Sequence, residues 1–299
     1  MKWSEYNKSL VRRGEILLGF DVIDNWGKEL AKMNNGKIGE PFHYPDTFVL
    51  MLGYAKAYFH LPYRQTAGIV KGHAKDKIPS IPDFSTISRR INRLDLKIEN
   101  KNNKKLEDDY ITIAIDGSGI KKTNRGQWMY KKWNMQNRKG YLKIHIAVDI
   151  KTKKILSMEV TNENVHDNKV LPRLVDNISN GGYVEGVVDR VLGDGAYDSN
   201  NTFRLLSERG IMPCIKVRKN SRVRWKTANL FRNLSVIAQR RNNFEQWKDS
   251  VSYGQRWIVE TVFSSLKRMF GEYVYSTKME NMKQELRLKV SLYNKFLSL

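Results

Sequence analysis

Cysteine is almost absent from the chain of 299 residues: Cys214 stands alone, which excludes a disulfide within it. Only five scattered histidines accompany it, at 43, 60, 73, 145 and 166, and with one cysteine they supply no zinc-ligand cluster in the sequence. A metal ion, if one is used, must be held by oxygen, and a reducing cytoplasmic setting fits. Apolar runs are short as well. None reaches the ~18 residues that span a bilayer, and the opening MKWSEYNKSLVRRGE lacks the apolar core of a secretory leader, so no membrane partner is expected. Carboxylates are few: 31 against 53 Lys and Arg, a formal net charge of +22.

That imbalance favours a polyanion, and its distribution narrows the choice. Between Asp116 and Asp149 there is no acid, while Lys121, Lys122, Arg125, Lys131, Lys132, Arg138, Lys139 and Lys143 run with Trp128, Tyr130, Trp133 and Tyr141. From Lys216 to Arg241 the pattern repeats, with Arg218, Lys219, Arg222, Arg224, Lys226, Arg232 and Arg240 beside Trp225 and Phe231. Cations that neutralise phosphates, interleaved with aromatic faces on which unstacked bases can lie, suit DNA. Trp128 and Trp133 are candidates for stacking on a frayed base at a DNA end, against the plainer role of packing on a sheet edge.

In chain order, residues 1–98 read as a helical N-terminal domain. Two short helices precede a turn at Asn34-Asn35-Gly36. Asp46 is placed to cap a helix through TFVLMLGYAKAYFH, a second helix starts at Tyr63, and Ser85 is placed to cap a third, TISRRINRLDLKI. Arg89, Arg90 and Arg93 lie along one side of that third helix, so this domain is either a helix-turn-helix DNA reader or a packing and dimerisation unit. The polar stretch 99–109 reads as a linker. From Tyr110 to the end the pattern is that of a catalytic α/β domain, 110–299. YITIAID is a buried strand that ends on Asp116, and YLKIHIAVD and KILSMEV form a hairpin. A helix through NVHDNKVLPRLVDNIS, a strand VVDRVLGD ending on Asp194, a helix NTFRLLSERG and a fifth strand IMPCIKV follow. The order gives a mixed five-stranded sheet flanked by helices, with a basic segment at 216–249 and a long helix at 250–270.

That last helix carries a polar stripe. At about 100° per residue, Tyr253, Arg256, Glu260 and Lys267 fall within an arc of roughly 60°, opposite Ile258, Val259, Val262, Leu266 and Met269. Asp116 and Asp194 each end a buried strand beside glycine, in IDGSG and GDGAYDS, where backbone or substrate can come close. Singly, each is ordinary turn chemistry. Together with Glu260, they are the oxygen ligands that two Mg²⁺ or Mn²⁺ ions need beside a phosphate. His166 and Asp167 follow the third strand near where such a site would open, as candidates to touch DNA or metal.

The spacing YxxRxxxExxxxxxK from Tyr253 to Lys267 resembles the signature of DDE transposases of bacterial and archaeal insertion sequences. IDGSG, KIHIAVD, NVHD and GDGAYDS resemble the same family's sheet, and the likeness is to insertion sequence family five, from about residue 41 to the end. It implies a ribonuclease H-like catalytic fold, with Asp116, Asp194 and Glu260 as a metal-binding catalytic triad for two Mg²⁺ or Mn²⁺ ions. It also implies that Tyr253, Arg256 and Lys267 position a DNA end; Lys143, Arg218 and Arg222 of the basic stretches, and His166, are further candidate DNA contacts by their own position in the chain. The expected partners are terminal inverted repeats and target DNA, handled by a homodimer in a nucleoid-associated, cytoplasmic setting. A structure-specific nuclease on the same fold, or a non-catalytic DNA-binding derivative, are the alternatives. The clustered acids weigh against the last, because carboxylates repel phosphates unless a cation intervenes.

Overall fold

The computed structural model describes residues 3–74, 77–96, 98, 110–122, 140–180, 187–226 and 229–299. The expected linker 99–109 and the stretch holding Trp128 and Trp133 lie outside them. The chain divides into two compact units, Met1–Lys97 with Ser276–Leu299, and Ile98–Tyr275.

The first unit is helical: α1 (Trp3–Leu18), α2 (Trp26–Asn34), α3 (Asp46–Tyr58), α4 (Tyr63–His73), α5 (Phe84–Ile91) and, from the far end of the sequence, α11 (Met279–Leu297). α3 is apolar nearly all round and accordingly sunk, with Phe48, Val49, Leu52 and Tyr54 buried. Caps differ from the sequence reading. Pro45, not Asp46, precedes α3, and the Asp46 carboxylate pairs with Arg90. α5 is capped by Asp83, which accepts from the Ser85 and Thr86 N–H groups, so Ser85 sits inside the helix. α5 also stops early, at Ile91, where Gln284 of α11 donates to the Ile91 and Leu94 carbonyls and satisfies its open end.

The second unit is built on five strands: β1 (Tyr110–Lys121), β2 (Tyr141–Asp149), β3 (Ile155–Asn162), β4 (Val187–Gly193) and β5 (Met212–Ile215), in the order β3-β2-β1-β4-β5. β1, β2 and β3 form an antiparallel meander, and β4 and β5 extend it in parallel with β1. A mixed sheet of this order with helices on its faces is ribonuclease H-like. β1 runs five residues past Asp116. Gly117 and Gly119, which read as a turn, pair in register with His145 and Lys143 of β2.

The period of two along the strands divides the chemistry between the faces. Ile111, Ile113 and Ile115 face one way, against Leu171, Val175 and Ile178 of α6 (Asp167–Asn180) and Phe203 and Leu206 of α7 (Asn200–Glu208). Asp116 therefore faces the other way. There α10 (Trp257–Phe270) packs on β1 and β2 and buries Ile258, Val259, Val262, Phe263 and Leu266. Each such side chain is worth about 1.5–3 kcal/mol when buried, against at most about 0.5 kcal/mol for an exposed i,i+4 ion pair on the same helix. The apolar face thus seats α10, and its polar stripe is free to serve chemistry. Between β5 and α10 the basic segment folds into α8 (Leu230–Ile237), a π-helical turn at Ala238–Asn242, and α9 (Phe244–Ser250).

Candidate active site

Parallel pairing of β1 with β4 ends at Ala114↔Leu192. Two residues further along the chain from each stand Asp116, within β1, and Asp194, one residue past the end of β4; neighbouring parallel strands bring side by side two carboxylates 78 positions apart (194 − 116) in the sequence. Each engages one oxygen locally. Asp116 Oδ1 accepts the Gly117 N–H at 2.8 Å, and Asp194 Oδ1 accepts the Ala196 N–H at 2.9 Å, where it caps a short 3₁₀ turn. The Asp116 pKa is raised. Desolvation is the main cause and the Asp194 charge adds to it, against the Gly117 N–H and Arg256.

Over this pair lies the start of α10. The stripe does not begin as one continuous α-helix: Tyr253–Arg256 form a 3₁₀ turn entered through left-handed Ser252, and the α-helix starts at Trp257. That turn rotates Tyr253 inward. Its ring is buried against Trp247, with centroids 5.1 Å apart, and its hydroxyl donates to the Gly193 carbonyl at 3.2 Å, beside Asp194. Burial pushes the Tyr253 hydroxyl pKa up to about 12, so it remains a donor. Arg256 lies between two acids, with Nη2 2.5 Å from Glu260 Oε1 and Nη1 3.9 Å from Asp116 Oδ2. Glu260 is exposed on the next turn, and Lys267 is part-exposed two turns beyond it.

On the opposite face, beneath Asp116, is a second polar group. Asp167, the first residue of α6, receives Lys143 Nζ on Oδ2 at 2.7 Å, and its Oδ1 lies 3.0 Å from His145 Nδ1. His145 is fully buried, and its Nε2 is 3.0 Å from Thr161 Oγ1. Burial raises the Asp167 pKa, but His145 and Lys143 together outweigh it and hold the carboxyl below its ordinary value. Tyr197, also fully buried, has its pKa raised well above normal, chiefly by desolvation, with the Asp167, Asp116 and Asp194 charges adding to it.

The structure thus brings together Asp116, Asp194, Arg256, Glu260 and Tyr253. Lys143 is close by but tied to Asp167, and His166 is exposed just ahead of α6. Arg218 and Arg222 are exposed on the basic segment, where Arg218 Nε donates to the Gly195 carbonyl at 2.9 Å and so joins that segment to the Asp194 turn. Arg89 and Arg93 are exposed in the helical unit, while Arg90 is tied to Asp46 and stacked on Phe42. Asp167 and Tyr197 gave only weak signals in the sequence. An Asp at a helix start reads as a cap, although the alternation that turns Lys143 and His145 to one face is the clue that an acid must meet them.

Among the described residues, no three His, Cys, Asp or Glu side chains are gathered as a ready metal site. Glu260 is turned to Arg256 instead. The donor chemistry nevertheless fits a hard divalent cation: every acid here offers oxygen alone, two of them stand on neighbouring chain segments, Asp116 in β1 and Asp194 just past the end of β4, and a guanidinium already stands as a cation between Asp116 and Glu260.

Paired carboxylates on and just past neighbouring strands, beneath an Arg–Glu helix on a ribonuclease H-like sheet, are the kind of arrangement in which enzymes of phosphoryl transfer hold a divalent metal. A family model described as "Transposase DDE domain" matches residues 107–295, and a second of the same description matches 11–125. The chain belongs to the DDE transposase family. Among solved structures it is similar to the Drosophila P element transposase strand transfer complex, at 13% identity over 65% of this chain and 42% of that one, with a TM-score of 0.33. It is also similar to the piggyBac transposase synaptic complex with hairpin DNA, at 10% identity over 96% and 74%, with a TM-score of 0.43. The chain spans less than half the length of the P element chain. No described helix is long and apolar enough to cross a membrane.

Proposed function

We propose that the protein is the transposase of an insertion sequence of family five, bearing the Y-R-E-K signature as Tyr253, Arg256, Glu260 and Lys267. It cleaves at the ends of the element and joins the freed 3′ ends to target DNA. The observation that carries the reading is the pairing of Asp116 with Asp194 just past the last β1/β4 register pair, under the stripe of α10. Asp116, Asp194 and Glu260 would hold two Mg²⁺ or Mn²⁺ ions. When bound, such ions activate the attacking oxygen and neutralise charge on the leaving one.

In the first reaction water attacks phosphorus; a new P–O bond forms, the bond to the 3′ oxygen breaks, and that oxygen leaves as a 3′-OH. In the second, the 3′-OH attacks a target phosphorus, so one P–O bond replaces another and no external energy is needed. Arg256 grips non-bridging phosphate oxygens with its planar fork, and Lys267 adds a point charge further along the strand. Tyr253 works from beneath, anchoring the Gly193 carbonyl and so the backbone that carries Asp194. Arg218 and Arg222 extend the cationic track, and Arg89 and Arg93 supply the helical unit's contacts. Because two ends must be handled together, the working assembly is a homodimer on two terminal inverted repeats.

The test is to incubate the protein with a linear duplex ending in the terminal repeat, a supercoiled target and Mg²⁺ or Mn²⁺. Cleaved and joined products are expected. Cleavage with no joined product would make it a nuclease, and undiminished activity in Glu260→Gln would remove Glu260 from the triad.

A further inference from the structure

The Asp167 group lies on the face of the sheet away from α10, where nothing in the two-step reaction uses it. It contains one acid with a lysine and a fully buried histidine each in ion-pair or hydrogen-bonding range of it. Such a group is costly to keep unless its geometry is good, because taking charges out of water costs several kcal/mol per ion. Its location explains its presence. A Cβ at residue 117 would meet Asp167 Oδ1 at 2.6 Å, Lys143 Cε at 3.0 Å and His145 Nδ1 at 3.1 Å. Real Cβ atoms do not approach that closely, so glycine at 117 is what lets the Asp167 carboxylate press against the strand.

The backbone it presses on is the one that orients Asp116. Residue 117 follows Asp116 directly, and its N–H is the donor to Asp116 Oδ1 at 2.8 Å. The partners of Asp167 are fixed in turn: Lys143 and His145 are held by strand register opposite Gly119 and Gly117, and His145 Nε2 meets Thr161 Oγ1 on β3. We propose that Asp167 is a positioning residue of the active site, which, held by Lys143 and His145, buttresses Gly117 and thereby sets the Asp116 carboxylate against Asp194 for divalent-cation binding. It touches neither cation nor DNA. The inference rests on the reading of Asp116 and Asp194 as metal ligands, and it assigns to the NVHD segment a role distinct from the DNA contact expected of His166.

The measurement is Mn²⁺ binding to the full-length protein without DNA, by titration calorimetry and by loss of the free-ion electron paramagnetic resonance signal, with circular dichroism to check the fold. Wild type is expected to bind and Asp116→Asn to lose binding; if wild type does not bind, the site reading and this inference fall together. Asp167→Asn is expected to weaken Mn²⁺ binding by about 10-fold or more, the usual scale for groups that orient metal ligands, with the fold retained. An affinity within about twofold of wild type in a folded Asp167→Asn protein overturns the inference and leaves the site reading intact. Gly117→Ala supplies the second arm. It displaces the same carboxylate, so the double variant is expected to bind about as weakly as the worse single one, and multiplicative losses would overturn the shared contact. Should Asp167→Asn fail to fold, Lys143→Gln removes one arm of the group at a part-exposed position, and unchanged affinity there is equally fatal.

Discussion

Asp198 holds the basic segment by a single side chain. Its side chain has no exposed surface, yet its carboxylate accepts from Arg232 Nε at 2.7 Å and Nη2 at 3.2 Å, from the Arg218 N–H at 2.9 Å and from Ser221 Oγ at 2.5 Å. Desolvation pushes its pKa up, but Arg232, the Arg218 N–H and Ser221 together outweigh it and leave the group below its ordinary 3.8. A carboxylate depressed in the folded state stabilises the fold above its unfolded pKa, and that contribution is lost as pH falls through the folded value. Acid unfolding monitored by Trp fluorescence should therefore show an Asp198-dependent loss of stability beginning near 3.8 and growing below it. Asp198→Asn should lack this component. Asp198→Ala at neutral pH is the harsher change. It strands the Arg232 guanidinium, only 13% exposed, without its partner, and is expected to cost about 3–5 kcal/mol in urea denaturation.

At the scale of the element, the 3₁₀ turn ahead of α10 ties a helix to a strand end. Tyr253→Phe keeps the ring on Trp247 and deletes only the hydroxyl that donates to Gly193. The expected loss is about 0.5–1.5 kcal/mol, that of one net hydrogen bond, since the Gly193 carbonyl keeps the Lys216 N–H at 3.1 Å. If the turn anchors the Asp194 backbone as proposed, strand-cleavage rate should fall while DNA affinity stays level; a lost affinity with an unchanged rate would return Tyr253 to the DNA surface. This turn was not legible in the sequence, because a stripe of polar residues at period 3.6 extrapolates an α-helix backward and carries no sign that Ser252 adopts φ 53°. Glycine misled in the same way. Gly117 and Gly119 signal a turn after Asp116, but they are strand residues made small by a neighbour on the far face, a cause that only tertiary packing reveals. What did read correctly was set by local pattern: the β2–β3 hairpin, the buried β1 and β4, and the apolar face of α10 each follow from period and turn chemistry alone. Lys143 carried the opposite lesson, since an unpaired-looking cation in an acid-free stretch meets its acid 24 residues later.

At the scale of the whole molecule, 53 Lys and Arg against 31 Asp and Glu leave a formal net charge of +22. Among the described residues of the basic segment, Asp198 engages Arg232 and the Arg218 backbone, whereas Arg222, Arg224 and Lys226 are part-exposed or exposed on the surface. A field of this sign draws duplex DNA from a distance, and its effect weakens with salt because screening shortens its reach and the release of condensed counterions gains less entropy. If six or more phosphates are contacted, affinity for a duplex carrying the terminal repeat should fall by about a thousandfold or more between 50 and 200 mM salt. Fluorescence anisotropy across that range gives the slope of log affinity against log salt. Arg222→Ala should reduce its magnitude by about one unit, the share of one phosphate contact, and weaken unrelated duplexes equally. Glu260→Gln should behave differently. It removes a negative charge beside the proposed reacting phosphate, so without metal it is expected to tighten DNA binding while abolishing cleavage. A Glu260→Gln protein that bound DNA more weakly than wild type in the presence of EDTA would show that Glu260 serves the duplex through Arg256 rather than through a metal ion.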